Sequence, residues 1–140
     1  MRRRFMWLLP VLSISASVNA GCANGQDAQS LKELQRTKAG AVEVVLLSTR
    51  GALRHGKDSF VVEFRSAQDQ HLVDAGTVTI NATMTMAGMP PMIGNINATR
   101  TDVGRYAVDS DLNMVGSWRL GLEWDGPAGK GSATLPGNVQ

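Results

Sequence analysis

Gly76-Thr77-Val78-Thr79-Ile80-Asn81-Ala82-Thr83-Met84-Thr85-Met86 is the stretch that decides the fold. Val78, Ile80, Ala82, Met84 and Met86 share one parity, and Thr77, Thr79, Asn81, Thr83 and Thr85 share the other. Successive side chains of a strand point to opposite faces, so an unbroken period of two over this length reads as a strand with one face buried. The same texture recurs on both sides. Residues 41–49 (AVEVVLLST) read as a first strand. Residues 58–65 (DSFVVEFR) set Phe60, Val62 and Phe64 on one face, and residues 116–124 (GSWRLGLEW) do the same with Trp118, Leu120, Leu122 and Trp124. Weaker strand signals cover residues 93–100, 106–112 and 130–135. Short strands at regular spacing, separated by Gly, Asp and Asn turns, predict an all-β fold, an immunoglobulin-like antiparallel β-sandwich of about seven strands.

The N-terminus has a different character. Arg2, Arg3 and Arg4 precede a short apolar run at residues 5–14 (FMWLLPVLSI), followed by small residues ending in Ala20. That order is a secretory signal peptide over residues 1–21, too short to span a bilayer as a stable helix. Two maturation readings stand. Val18-Asn19-Ala20 fits cleavage before Gly21. Ala20-Gly21-Cys22 resembles the end of a lipobox and would make Cys22, the chain's single cysteine, the lipidated first residue. The expected location is therefore the periplasm, free or as a membrane-anchored lipoprotein facing it. Residues 22–40 are polar and lack a strand pattern. They read as a linker, with Leu31 and Leu34 spaced for a helical turn. Residues 41–140 then form one domain.

The sequence pI near 9.0 comes from the leader. Without its three arginines the chain carries 11 basic against 12 acidic residues. With no basic run, nucleic acid is not an expected partner. One cysteine excludes an intramolecular disulfide framework. No paired carboxylates, nucleophile elbow or phosphate loop is present, so an enzyme is not expected.

The chemistry that remains is in the methionines. Of seven, four lie in the nine residues Met84-Thr85-Met86-Ala87-Gly88-Met89-Pro90-Pro91-Met92. Thioethers are soft, neutral ligands that select Cu(I) over hard cations, and they survive an oxidising compartment where thiols would pair. Met84 and Met86 project about 7 Å apart from one strand face. Met89 and Met92 follow in a Gly/Pro loop, and Met114 ends another strand. Met84, Met86, Met89, Met92 and Met114 are thus candidate ligands for Cu(I) or another soft metal. Met89 and Met92, presented on a loop, are better placed than Met84. The competing reading is packing. Met84 and Met86 continue the buried face of Val78, Ile80 and Ala82, and Met commonly fills irregular core gaps. His55 and His71 are lone loop histidines without a partner at metal-motif spacing. Asp102-Val103-Gly104-Arg105-Tyr106 has the form of a tyrosine corner, in which the hydroxyl bonds to nearby backbone and pins a crossover.

Four short motifs now fall in order: Val73-Asp74-Ala75-Gly76-Thr77-Val78, the methionine stretch, Gly104-Arg105-Tyr106, and Asn113-Met114-Val115-Gly116-Ser117-Trp118. Together they resemble the YtkA-like/FixH-like family of exported bacterial domains, over roughly residues 41–125. The resemblance implies an immunoglobulin-type sandwich and a non-enzymatic accessory role beside copper or heavy-metal efflux or copper-oxidase assembly. It carries Met84, Met86, Met89, Met92, Met114 and Trp118 across as motif positions. The M-x-M-x-x-M spacing departs from the family pattern and leaves open which sulfurs meet. FixH proteins proper are usually held by a spanning helix, so the short leader favours the YtkA-like side. The implied partner is a membrane-bound efflux or oxidase-assembly complex. The alternative is an interaction module that docks on such a complex without metal.

Overall fold

A computed structural model describes residues 30–140. The expected signal peptide and Cys22 lie outside the described residues. Eight strands follow one another: β1 (Lys32–Ala39), β2 (Val42–Ser48), β3 (Gly56–Ser66), β4 (Thr77–Met84), β5 (Met92–Asp102), β6 (Arg105–Leu112), β7 (Gly116–Gly126) and β8 (Gly129–Val139). Their order in the sheet is β1-β2-β3-β6-β5-β4-β7-β8, with every neighbouring pair antiparallel. The all-β expectation holds, and seven of the eight strands fall where alternation places them.

The eighth is a correction. Residues 32–39 are not linker or helical turn but strand β1, paired with β2 from Lys32↔Ser48 to Ala39↔Val42. The pattern hid it because β1 is an edge strand with a register shift between Glu33 and Gln35. Only Leu34 and Ala39 pack on the core. Ladder hydrogen bonds to β2 and an outward ion-pair set, Arg36 with Glu33 and Glu43, hold the rest.

Strand β5 makes the sheet a sandwich. Its first residues pair with β4 (Met84↔Met92 to Ala82↔Gly94), and from Asn95 onward it pairs with β6. It therefore passes from one layer to the other. One layer is β1-β2-β3-β6 and the other β4-β7-β8. The outer strands nearly close the structure into a barrel. Leu53, in the β2–β3 loop, bridges to Val139, and Gln140 N–H donates to the Leu53 carbonyl at 3.0 Å. The core lies between the layers: Val44, Leu46, Val62 and Leu112 on one side, Ile80, Leu120, Leu122 and Leu135 on the other. Each such side chain contributes about 1.5–3 kcal/mol when fully buried.

The end of the sandwich near the β3–β4 and β5–β6 connections is closed by specific contacts. The ring of Phe64 meets Tyr106 and Trp124 edge-on, with centroids 5.4 and 5.3 Å apart. Tyr106 is 3% exposed and its hydroxyl donates to the Gly76 carbonyl at 2.6 Å. A crossover is pinned, as the sequence suggests, but the acceptor lies thirty residues upstream rather than beside the tyrosine. Gly76 itself sits at φ +69°, and a Cβ there would come 2.6 Å from Gly126 Cα. Asp74 bridges the same corner, accepting from Gly76 N–H and from the Arg100 guanidinium, each at 2.9 Å. The Gly76 amide, and then Arg100, hold the Asp74 carboxyl below its ordinary value. On the outer face nearby, buried Glu63 is bound by both Arg65 and Arg105.

Candidate functional site

The opposite end gathers the methionines. Because all strands are antiparallel, one end of the sandwich collects the start of β1, the β2–β3 loop, the end of β4, the start of β5, the β6–β7 turn and the end of β8. Met84 and Met92 are direct cross-strand partners there, closing the β4–β5 ladder. Directly opposed residues of an antiparallel pair hold their Cβ atoms about 4.5–5.5 Å apart, so these two thioethers are neighbours. Met114 lies in the β6–β7 turn at the same end. Met84, Met92 and Met114 are half-buried and pack against the core. Three of the five candidate methionines thus line the same end of the sandwich, half-buried against the core.

Neighbouring residues position that set. Trp118, 1% exposed, donates its indole N–H to the Met114 carbonyl at 2.9 Å and so fixes the β6–β7 turn. A Cβ on Gly116 would lie 2.6 Å from Met84 Cε, so the glycine leaves the space that the Met84 methyl occupies. Met86 is half-buried just beyond β4. Its carbonyl accepts a 3.3 Å bond from Met89 N–H, which forms the loop's turn. Met89 is set apart, 59% exposed at the loop tip.

The histidines separate. His71 lies near the pinned end beside Asp69. His55 stands at the methionine end, its Nε2 3.1 Å from the Asn113 carbonyl, one residue from Met114. Sequence spacing gives no hint of that proximity, because 58 residues separate His55 from Asn113. Among the described residues, no group of three or more His, Cys, Asp or Glu is placed to hold a metal. The methionines are therefore the donor set to consider. A cleft of about 570 Å³ lies on the outer face of β3, β6 and β5, lined among others by Arg50, Lys57, Asp58, Asp109 and Asp111. No methionine lines it.

Fold and site together define a small all-β sandwich, tightly pinned at one end and lined with thioethers at the other. The YtkA-like family model matches residues 36–123, and the chain belongs to that family. The match takes in the whole methionine stretch, Tyr106, Met114 and Trp118. No curated protein and no solved structure matches the chain.

Proposed function

We propose that this YtkA-like domain is a non-enzymatic accessory protein that binds Cu(I) or another soft metal at its methionine end. It would serve metal efflux or homeostasis on the outer side of the membrane, exported by its leader and held there through Cys22. The observation that carries the reading is the set Met84, Met92 and Met114: two cross-strand partners and a third in the β6–β7 turn of the same end, all half-buried against the core. Neutral thioether donors in a partly dry setting suit a soft monovalent ion. In this reading Met92, Met84 and Met114 would be the inner ligands, and Met86 and Met89 would form an outer arc.

Titration of the purified chain with Cu(I) against a chromophoric chelator tests this. The expected result is competition by the wild type and its loss in Met84→Leu/Met92→Leu/Met114→Leu, which keeps apolar bulk and removes sulfur. Bound Cu(I) should also raise the melting temperature of the wild type, since a ligand of the native state stabilises it. A wild-type chain that withdraws no Cu(I) from the chelator defeats the metal reading. The second reading, a docking module without metal, would then lead, supported by the apolar residues exposed around the same end.

A further inference from the structure

Five large hydrophobic residues are exposed among those described: Leu31 (37%), Met89 (59%), Ile93 (77%), Val103 (47%) and Val115 (58%). Four of the five share one end. Leu31 immediately precedes β1, Met89 tips the β4–β5 loop, Ile93 opens β5 opposite Thr83, and Val115 lies in the β6–β7 turn. Only Val103 lies at the pinned end. Scattered single apolar residues need no explanation, but a grouped set rimmed by polar residues marks a contact surface. The rim carries both signs: Lys32, Arg50 and Arg54 are exposed around it, with Glu33 exposed beside Lys32. The Asp58 side chain is buried against Arg50 and the Arg54 amide.

The chain's own path says what covers this surface. The segment before residue 30 carries the apolar run 5–14 and Cys22, and it joins the sheet here, where Lys32 pairs with Ser48. Seven residues lie between Cys22 and Ser30, so eight residue-to-residue steps join them. Fully extended they reach less than about 30 Å, at 3.3–3.6 Å per residue. Attachment through a lipid on Cys22 or through the apolar run itself would hold this end, and not the pinned one, toward the bilayer. Exposed apolar side chains within a polar rim, at the end where such an attachment would hold the chain, fit the headgroup region of a bilayer. We propose that the methionine end is a membrane-facing surface, with Met89, Ile93 and Val115 resting among lipid headgroups. The proposal is independent of metal binding. If a metal is carried, its mouth opens toward the bilayer, which places the exchange partner in the membrane.

Hydrogen exchange of the full chain, followed by mass spectrometry in the presence of a Cu(I) chelator, tests this. The chain is compared free and bound to vesicles of phosphatidylethanolamine and phosphatidylglycerol. Residues 49–55, 85–92 and 113–116 should be protected on the vesicles, while 67–75, 102–104 and 127–128 exchange as in solution. Met89→Glu/Ile93→Glu/Val115→Glu changes exposed positions only, so it should fold normally and lose the protection at the three loops. Equal protection at both ends, or none at either, overturns the proposal. Protection in native membranes but not on pure lipid also overturns it and assigns the surface to a protein partner. The chelator keeps metal out of the measurement, so neither outcome bears on the Cu(I) titration.

Discussion

The two ends of this sandwich are built on opposite principles. At one, three aromatic rings interlock, a tyrosine hydroxyl reaches across to another strand's backbone, and a glycine lets two chain segments touch. At the other, half-buried thioethers finish the core, and apolar side chains stand in solvent. Rings and directed hydrogen bonds define one geometry, whereas unbranched thioethers repack at little cost. A scaffold that is rigid at one end can leave the other free for binding, as loops on a fixed framework commonly do. The difference teaches that, under the proposed function, stability and binding would fall to separate ends of the same strands.

The sharpest way to break that division is at Phe64, which is fully buried and touches both other rings. Phe64→Ala should cost about 3–5 kcal/mol in urea unfolding, the usual range for emptying such a site. A loss below about 1 kcal/mol would mean that the pinned end is not where the fold is held. Tyr106→Phe is a finer probe. It removes one hydrogen bond and leaves the ring, so about 0.5–1.5 kcal/mol should go. Because the acceptor is Gly76, exchange protection should fall at the start of β4. Protection lost within residues 102–106 instead would point to a local corner rather than a crossover pin.

A smaller effect belongs to acid. The Asp74 carboxyl is held below its ordinary value by the Gly76 amide and Arg100. A depressed native pKa adds stability that is complete above the unfolded value. It is lost as pH falls through the native one. Stability of the wild type should therefore drop below the ordinary carboxylate range, and Asp74→Asn should reduce that part of the slope. Both groups at this corner are partly exposed, so the effect is modest and weakens with salt. An unchanged acid slope in Asp74→Asn would remove Asp74 from the pinning contacts.

How legible each end was follows from the same contrast. Period-two alternation in residues 76–86 and 116–124 gives strands and inward faces directly, because burial of one face writes itself into sequence. Strand β1 was unreadable, since Lys32–Ala39 meets the core only at Leu34 and Ala39 and is held by backbone pairing, which any side chains permit. The Tyr106–Gly76 bond was half legible: the motif promises an anchored hydroxyl but cannot name an acceptor thirty residues away. In the methionine set, composition shows the cluster, but partnership depends on register. Met84 faces Met92 because a loop of seven residues joins β4 to β5, and Met114 comes to the same end only because the β6–β7 turn lies there.

The smallest expected changes in stability decide where the site lies. Met92→Leu conserves shape in a half-buried place and should cost less than about 1.5 kcal/mol. Met89→Leu, at an exposed loop tip, should stay within about 0.5 kcal/mol. Both proteins therefore remain folded, and their Cu(I) affinities can be compared directly. If the set at the strand ends holds the ion, Met92→Leu and Met84→Leu weaken binding strongly and Met89→Leu weakens it little. If the loop holds it, Met89→Leu and Met92→Leu are the damaging pair and Met84→Leu is silent. Met92 is damaging in either case, so the comparison of Met84 with Met89 separates the two arrangements. A silent Met84→Leu would return that residue to core packing and move the site outward onto the loop. The strands would then supply only the platform, and the exposed tip would supply the chemistry.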